Sequence, residues 1–595
     1  MKIKTSILFG LLLQSAILHS KELDLSRCTI ILEDDASASQ QYAAKEFSSY
    51  IYKITGREIS VAPTAITNET KLLITTSPSE DNLGDEGFSI SVKDSSVIVK
   101  GSRKRGSLYG IYELLERFGG VRWYSSTFEK VPRKKNFLVP SDFKTIQKPD
   151  FVWRAPFWYD PAINPEFAVR LRMFGPGFDK LNPRYGAEES CFGGGLGICH
   201  TFDKLCSSEK YFDEHPEYFS FTGGKRLKKN TQLCLTNPEV LSIVTSNVLS
   251  RIRKNPKAKF YGISQNDYYN FCECEDCAKI DNEEGSHSGT LIRFVNAVAE
   301  KVAEEFPDVF IETLAYQYTR KPPLKTKPAP NVVPCLCSYE CDFAHSISNG
   351  CYIENIKFSR DLAQWSKISH QLMIWDYSTN FRHYPQIFPD VYALASNIKF
   401  YRDNSAKMIF FNGSYQGIGA YFEELKAYLQ AKLSWDADLN VNELMDDFFD
   451  GFYGKAGKLI REDFEQAYSY YKERPFSCLS INDPLELAAL PDSYFKRSLA
   501  RQRKALKIAE KDLRHAQNVR KWALNVAYTC FFRLAMKMPE VALTQEDKTL
   551  RVELAKELYE YSKTITGIRW VENATLNDKR FLLIKKYASV CESKE

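Results

Sequence analysis

Three carboxylate side chains stand at the ends of short apolar runs in the middle of this chain of 595 residues. Asp267 lies in SQNDYY, Glu340 in SYECD and Asp376 in WDY, and His200 precedes them in GICHTF. Amide and aromatic side chains follow the same runs, namely Gln265, Asn266, Tyr316, Tyr318, Trp375, Tyr377 and Asn412. A carboxylic acid can protonate a leaving oxygen, amides bind hydroxyl groups, and aromatic rings stack on sugar faces. Together these residue types favour carbohydrate recognition and glycosidic cleavage.

Each of these residues also has a purely structural interpretation. An aspartate at a strand end, such as Asp267 or Asp376, is more often a helix N-cap or an ion-pair partner than an acid catalyst. A single histidine such as His200 is more often hydrogen-bonded within the fold. The functional interpretation therefore depends on the polar clusters converging on one face.

The elements that must position these residues alternate between strands and helices. Strand patterns occur at 151–154, 232–235, 259–264, 310–315, 332–337, 372–375 and 408–411, with helical patterns between them. Alternation of this kind predicts a parallel sheet, and about eight such units predict a closed (β/α)8 TIM barrel with its active site at the carboxyl ends of the strands. An open doubly wound sheet is the alternative, but no G-x-G-x-x-G follows a strand.

The remaining segments predict further parts around this barrel. Residues 21–145 alternate short strands and helices and predict a small N-terminal α/β domain, 146–438 form the catalytic barrel, and 439–595 carry charged amphipathic helices that predict a helical C-terminal domain. Residues 1–20 resemble a signal peptide, with two lysines before an apolar stretch. We expect export to a bacterial periplasm or to the outside of the cell. No later run is long enough for a membrane helix, so stable membrane insertion after cleavage is not expected.

Composition limits the possible partners. Lys and Arg number 80 against 75 Asp and Glu, which gives a net charge of only +5. Without a dense basic block, a nucleic-acid partner is not expected, and a neutral substrate suits this balance. Phe, Trp and Tyr make up 13% of the chain, and most of these rings are accounted for by core packing.

Fifteen cysteines include the dense group CECEDC at 272–277. Cys272, Cys274 and Cys277 have the spacing of a metal knuckle, with Cys234, Cys335, Cys337 or Cys341 as possible partners. Zinc prefers four ligands in a tighter pattern, and a disulfide or a buried free thiol competes in an exported protein. We therefore expect no metal and no cofactor in catalysis, and any zinc here would be structural.

Longer motifs at the same strand ends resemble glycoside hydrolase family 163, a bacterial family formerly described as a domain of unknown function. The matching stretches cover essentially the whole predicted barrel: HPEYF, QLCLTNP, SQND, CECEDC, SGTL, TLAYQYTRKPP, ECDF and IWDY. The predicted N-terminal domain, in which GSRKRG at 101–106 leads into a helix, looks like the α/β domain that precedes the barrel in β-hexosaminidases and α-glucuronidases.

This resemblance implies a retaining endo-β-N-acetylglucosaminidase that cleaves the GlcNAc-β1,4-GlcNAc core of N-glycans, with an oligosaccharide or a glycoprotein as its partner. It also implies substrate-assisted catalysis, in which Asn266 orients the substrate's 2-acetamido group and Asp267 is the general acid and base. Asp267 with Glu340 is the alternative, ordinary two-carboxylate pair. From their types and positions at the strand ends we assign sugar binding to His200, Gln265, Tyr316, Tyr318, Trp375, Asp376, Tyr377 and Asn412, with core packing as the default for Trp375.

Two other functions remain open at this point. An exo-acting β-N-acetylhexosaminidase or an α-glucuronidase-like glycosidase is suggested by the N-terminal domain, and a pocket blocked at one end would favour it. A glycan-binding protein without catalysis is the candidate from another class. Retention of Asp267, Glu340 and Asp376 argues against it.

Overall fold

The chain divides into two units. The computed structural model describes residues 22–63, 70–78, 82–102, 104–173, 182–186, 192–193, 197–350, 352–474, 477–482, 490–536, 543–573 and 578–589. One unit comprises the described residues up to Gly120 together with Val131–Gln147, and the other comprises Val121–Lys130 and the described residues from Lys148 onward. The predicted signal peptide at 1–20 lies outside the described residues, and the division into three domains stays a prediction.

The first unit consists of helices and a mixed sheet. Its elements are β1 (Glu22–Asp24), β2 (Thr29–Leu32), α1 (Ala38–Thr55), β3 (Ser60–Val61), β4 (Lys71–Thr76), β5 (Phe88–Lys93), β6 (Ser96–Gly101), α2 (Gly106–Leu114), β9 (Leu138–Pro140) and β10 (Lys144–Gln147). The six-stranded sheet has the order β10-β5-β6-β4-β2-β3, and β1 pairs separately with β9. The predicted hairpin at 88–100 is confirmed, because β5 and β6 pair antiparallel. A Cβ on Gly101 would lie 2.2 Å from the Gly106 carbonyl carbon, so glycine allows α2 to begin this close to β6.

The second unit contains the central sheet and all the other elements described here. Its strands are β7 (Arg122–Ser125), β8 (Phe128–Lys130), β11 (Trp153–Phe157), β12 (Phe221–Thr222), β13 (Lys225–Arg226), β14 (Phe260–Gly262), β15 (Phe310–Ala315), β16 (Val332–Cys337), β17 (Met373–Tyr377) and β18 (Met408–Asn412). Its helices before residue 440 are α3 (Tyr159–Ile163), α4 (Pro165–Arg170), α5 (Phe202–Leu205), α6 (Ser208–Tyr211), α7 (Pro238–Lys254), α8 (Glu275–Glu284), α9 (Ser288–Glu305), α10 (Ile353–Ile368), α11 (Val391–Asp403) and α12 (Glu423–Trp435). The later helices are α13 (Val441–Tyr453), α14 (Gly457–Lys472), α15 (Asp492–Ala509), α16 (Leu513–Met536), α17 (Gln545–Thr564) and α18 (Lys579–Ser589).

The central sheet is parallel throughout, in the order β11-β18-β17-β16-β15-β14. Every residue of β16 and β18 is buried, which is typical of parallel strands covered by helices on their outer face. With six parallel strands in this order the sheet is a half-barrel, and it is followed by a helical region. Within the described helices, none is long and apolar enough to cross a bilayer.

Two details differ from or extend the predicted strands. No strand forms at 232–235, so that prediction is wrong. Leu233 makes only an isolated antiparallel bridge with Phe219, and the residues on either side of Leu233 bind to loops. Phe192 makes a parallel bridge with Phe260, the first residue of the edge strand β14. The ring of Phe192 also lies 5.7 Å from the ring of Trp153, which is on the opposite edge strand β11.

Glu312, in the middle of β15, is a buried carboxyl group without partners. It is 0% exposed, and neither carboxylate oxygen has a hydrogen-bond partner within the described part of the chain. Burial raises the pKa of Glu312 well above its ordinary value because the charged form loses its hydration. The folded protein therefore keeps this proton to a higher pH than the unfolded chain, in which a glutamate ionises near pH ~4.3.

We predict that Glu312→Gln stabilises the protein increasingly as the pH rises above about 5. Above the unfolded pKa, the folded protein binds more protons than the unfolded protein. The free energy of unfolding of the wild type therefore falls by up to about 1.4 kcal/mol per pH unit in this window. The glutamine variant has no proton to lose at this position, so its free energy of unfolding does not fall for this reason. Melting temperatures of both proteins between pH 5 and pH 8 measure the effect, with the exposed Glu300→Gln as the control. A difference in melting temperature that does not change with pH would contradict it.

Candidate active site

A pocket of about 350 Å³ lies where the parallel strands of the central sheet end. Leu314, Cys337, Tyr377 and Asn412 line it from the last two residues of β15, β16, β17 and β18. The other lining residues are Cys199, His200, Asp267, Tyr316, Gln317, Tyr339, Trp375, Phe381, Ile481, Asn482 and Glu572. The pocket therefore occupies the position at which side chains of parallel strands and their following loops converge.

Six of the predicted site residues line this pocket: His200, Asp267, Tyr316, Trp375, Tyr377 and Asn412. A chain of hydrogen bonds holds the carboxylate. The Tyr316 hydroxyl donates to Asp267 Oδ1 at 3.2 Å, and Gln317 Nε2 donates to the Tyr316 hydroxyl oxygen at 3.0 Å. Asp267 is thus oriented by a neighbouring loop.

The side-chain amide of Asn266 is hydrogen-bonded to two other segments of the chain. Asn266 Nδ2 donates to the Thr231 carbonyl at 2.9 Å, and Asn266 Oδ1 accepts from the Asp203 backbone N–H at 3.2 Å. Its backbone is held by Gln232, whose Oε1 accepts from Asn266 N–H at 2.9 Å and whose Nε2 donates to the Asn266 carbonyl at 2.8 Å. Asn266 is not among the residues that line the pocket.

Glu340 also lies outside the pocket lining. Its carboxylate pairs with Arg320 at 3.0 Å, and the same guanidinium pairs with Glu354 at 3.1 Å and Asp361 at 3.0 Å. Three carboxylates around one arginine form a structural ion-pair network rather than a free acid.

Three more predicted binding residues support the pocket from outside its lining. Gln265 Nε2 donates to Thr319 Oγ1 at 2.7 Å, and Asp376 Oδ1 accepts from Ser338 Oγ at 2.7 Å. Burial raises the pKa of Asp376 to about 6. The Tyr318 ring packs 5.3 Å from the ring of Phe271.

The helical region contributes pocket residues that sequence reasoning missed. Ile481, Asn482 and Glu572 come from loops between its helices. Asn482 Nδ2 donates to the Tyr339 hydroxyl oxygen at 2.7 Å, and Glu572 N–H donates to the Phe381 carbonyl at 2.9 Å. In the sequence, the weak signal for Glu572 is a polar VEN segment between helical patterns.

Specific contacts fix the segment that carries Glu572. Ile418 and Ile568 form a parallel bridge, and the Tyr384 backbone N–H donates to the Trp570 carbonyl at 3.1 Å. The Trp570 ring stacks on the Tyr528 ring of α16 at 5.5 Å, with 9° between their planes. The loops after β17 and β18 thus both bind the chain just before Glu572.

Asp267 and Glu572 influence each other electrostatically. Burial raises the pKa of Glu572, a hydrogen bond with Tyr415 opposes the shift, and the charge of Asp267 raises it further. Two carboxyl groups in one pocket, one of them with its pKa raised by its surroundings, are suited to divided acid and base roles.

Two polar atoms and two backbone conformations also mark the site. Trp375 Nε1 and Asn412 Oδ1 are buried and have no hydrogen-bond partner within the described residues, which is uncommon for buried polar atoms. His200 and Gln317 have φ angles of 53° and 51°, in the left-handed region that non-glycine residues rarely adopt. Strained conformations of this kind cluster at functional sites.

Comparisons with known proteins agree with this architecture. Residues 13–114 match the family model described as Glycosyl hydrolase family 67 N-terminus. A family GH115 4-O-methyl-α-glucuronidase with specificity for decorated arabinogalactans superimposes with a TM-score of 0.57 at 11% identity, covering 92% of this chain and 78% of that one. The GH89 enzyme of Clostridium perfringens, in complex with its substrate GlcNAc-α-1,4-galactose, gives a TM-score of 0.50 at 13% identity over 88% of this chain and 65% of that one. No curated protein sequence matches the chain.

At these identities the structural likeness concerns the fold, which this chain shares with glycoside hydrolases. A second family model, described as Domain of unknown function (DUF4838), matches residues 123–465, more than half of the chain and all the strands of its central sheet. The chain therefore belongs to the DUF4838 family.

Proposed function

We propose that this protein is a glycoside hydrolase, and that the pair of pocket carboxyl groups Asp267 and Glu572 carries out the cleavage. The single observation behind this proposal is that both groups line one pocket at the strand ends and that the charge of Asp267 raises the pKa of Glu572. A glycosidase needs one protonated and one ionised group beside the scissile bond. A glycan-binding protein needs no such pair.

The two groups divide the work according to their surroundings. Glu572, whose pKa is raised by burial and by Asp267, is the group that donates a proton to the leaving oxygen. Asp267, held by the Tyr316 hydroxyl, acts on the opposite side of the reaction, either as a nucleophile or by holding a substrate acetamido group. The assignment carried by the resemblance to family 163, with Asp267 as the acid and Asn266 as the orienting group, requires the Asn266 amide to leave its bonds to Thr231 and Asp203.

A neutral sugar suits the pocket better than a uronic acid. Among its described lining residues there is no Lys or Arg that would pair with the carboxylate of a uronic acid. Tyr316, Tyr339 and Tyr377 form successive edge-to-face contacts with ring centroids 5.4 Å and 6.0 Å apart, so the wall offers aromatic rings to a sugar. The resemblance to family 163 refines this class to N-acetylglucosamine, within the GlcNAc-β1,4-GlcNAc core of N-glycans.

We also infer that the central sheet closes into a complete (β/α)8 barrel. Phe192 supports closure because it bridges to the edge strand β14 and packs its ring on Trp153 of the other edge strand, β11. A closed barrel surrounds the pocket with strand ends on all sides.

An exo-acting glycosidase is the second candidate, because residues 13–114 match the N-terminal model of family 67. Both candidates use the same carboxyl pair and differ in whether the substrate extends beyond the pocket. The products of cleavage therefore decide between them.

We predict that incubation with an N-glycosylated protein leaves one N-acetylglucosamine on each modified asparagine. Cleavage between the two core sugars releases the rest of the glycan in one piece, and the mass of the protein product measures it. Release of single terminal sugars would favour the exo-acting candidate, and an unchanged glycoprotein together with unchanged aryl glycosides would overturn the proposal. Asp267→Asn protein is the matched control for contaminating activity.

We predict that Asp267→Asn and Glu572→Gln each lower turnover of an oligosaccharide by at least about a hundredfold, because a positioned acid or base contributes roughly 10² to 10⁴. A dinitrophenyl glycoside, whose leaving group needs no proton, should restore turnover in Glu572→Gln and not in Asp267→Asn. Rescue of Asp267→Asn instead would assign the general acid to Asp267. Glu340→Gln is the control, with turnover expected within a fewfold of wild type because it lies outside the pocket lining.

We predict that a thiazoline mimic of the cyclic acetamido intermediate inhibits the enzyme in competition with substrate. If Asn266 holds the acetamido group, Asn266→Ala weakens this inhibition and slows only N-acetylated substrates. If its amide stays bonded to Thr231, the variant melts at a lower temperature and slows all substrates alike. A mimic that does not bind would favour the two-carboxylate mechanism.

A further inference from the structure

Four cysteine side chains from separate parts of the sequence meet outside the pocket. The Sγ atoms of Cys234, Cys272, Cys274 and Cys277 all lie within 4.8 Å of one another. Cys234 Sγ is 3.7 Å from Cys274 Sγ and 4.0 Å from Cys277 Sγ. Cys234, Cys272 and Cys277 are buried, and Cys274 is half-buried.

These distances fit four thiolates around one ion. Zinc binds cysteine sulfur at about 2.3 Å, so the sulfur atoms of a tetrahedral site are separated by about 3.8 Å. A disulfide needs a sulfur–sulfur distance of about 2.05 Å, and pairing any two of the four would require them to close by more than an ångström and leave the other two beside it. We propose that Cys234, Cys272, Cys274 and Cys277 bind one structural zinc ion.

The surroundings of the sulfur atoms suit thiolates. The Phe221 backbone N–H donates to Cys272 Sγ at 3.4 Å, and Arg226 Nη1 lies 3.6 Å from the same sulfur. Thr236 Oγ1 lies 3.3 Å from Cys277 Sγ. Cys274 is the N-cap of α8 and Cys277 lies in its first turn, where the helix dipole stabilises negative charge. A zinc ion with four thiolates carries a net charge of −2, and these groups offset part of it.

The proposed zinc ion joins the loop at 231–236 to the loop that carries Asp267 and Cys272. These two loops also meet at Asn266. Cys234 lies two residues after Gln232, which holds the backbone of Asn266 on both sides. Cys272 lies five residues after Asp267 on the other loop. Zinc therefore fixes the segment between Asp267 and α8 against the loop at 231–236. The effect on catalysis, which rests on the proposed function, is to position Asp267 and not to supply a metal-bound water.

The first test needs no activity measurement. Protein purified without chelators should contain one equivalent of zinc by elemental mass spectrometry, and native protein should protect four thiols from an aromatic disulfide reagent until the metal is displaced by a mercurial. Replacing zinc with cobalt should give the intense visible bands of tetrahedral cobalt thiolate. Protein isolated without bound metal, or a mass lower by two or four hydrogen atoms from disulfide formation between these cysteines, would overturn the proposal. A stoichiometric metal other than zinc would overturn the assignment of the ion.

Variants separate metal binding from packing. Cys234→Ser should lose zinc and lower the melting temperature, whereas Cys274→His, at the half-buried position, should keep zinc because imidazole also binds it. Cys206→Ala is the control, since it removes a buried thiol outside the cluster. Should Cys234→Ser fail to fold, zinc release from wild type by the mercurial still decides the question. Zinc retained in Cys234→Ser would contradict the four-cysteine site. Full activity after the zinc has been lost would contradict its positioning role without affecting the glycosidase proposal.

Discussion

The parallel pairing of β11, β18, β17, β16, β15 and β14 is the constraint on which the site depends. Parallel strands in register end together, so every loop that follows a strand begins at the same edge. Asn412 of β18 pairs with both Phe157 of β11 and Tyr377 of β17, and these positions mark that edge. Residues separated by more than a hundred positions, such as Asp267 and Asn412, line one pocket for this reason alone.

The strand ends do not complete the pocket by themselves. Loops of the helical region add Ile481, Asn482 and Glu572, and they are held by backbone hydrogen bonds to the loop after β17. The Phe381 N–H donates to the Ile481 carbonyl at 2.8 Å, and the Phe381 carbonyl accepts from Glu572 at 2.9 Å. One residue thus anchors both segments, so the helical region is part of the site and not an appendage to it.

Rigid loops with many bonded partners surround the carboxyl pair. Gln232 fixes the backbone before Asp267, the four-cysteine cluster joins the segment after it to the loop at 231–236, and Tyr316 orients its carboxylate. The catalytic role proposed for Asp267 requires support of this kind, because a catalytic group must be held within a fraction of an ångström. Glu340 and Asp376 resemble site residues in the sequence. In the fold, the Glu340 carboxylate forms an ion pair with Arg320, and the Asp376 carboxylate accepts a buried hydrogen bond from Ser338.

The sequence alone determined most strands of the central sheet, the helices between them, and six of the fifteen residues that line the pocket. Period-two and period-3.6 patterns depend only on neighbouring residues, so elements such as β5, β6, α9, β15 and β16 could be predicted. The residues at the predicted strand ends include six that line the pocket, among them Asp267. Tertiary structure decided the rest. The Asn266 amide is hydrogen-bonded to Thr231, a partner far along the chain, and sequence spacing does not show this. Glu572 reaches the site only because the loops after β17 and β18 bind its segment. The fourth cysteine, Cys234, likewise has no fixed spacing from the other three, because folding and not sequence distance brings its loop beside them.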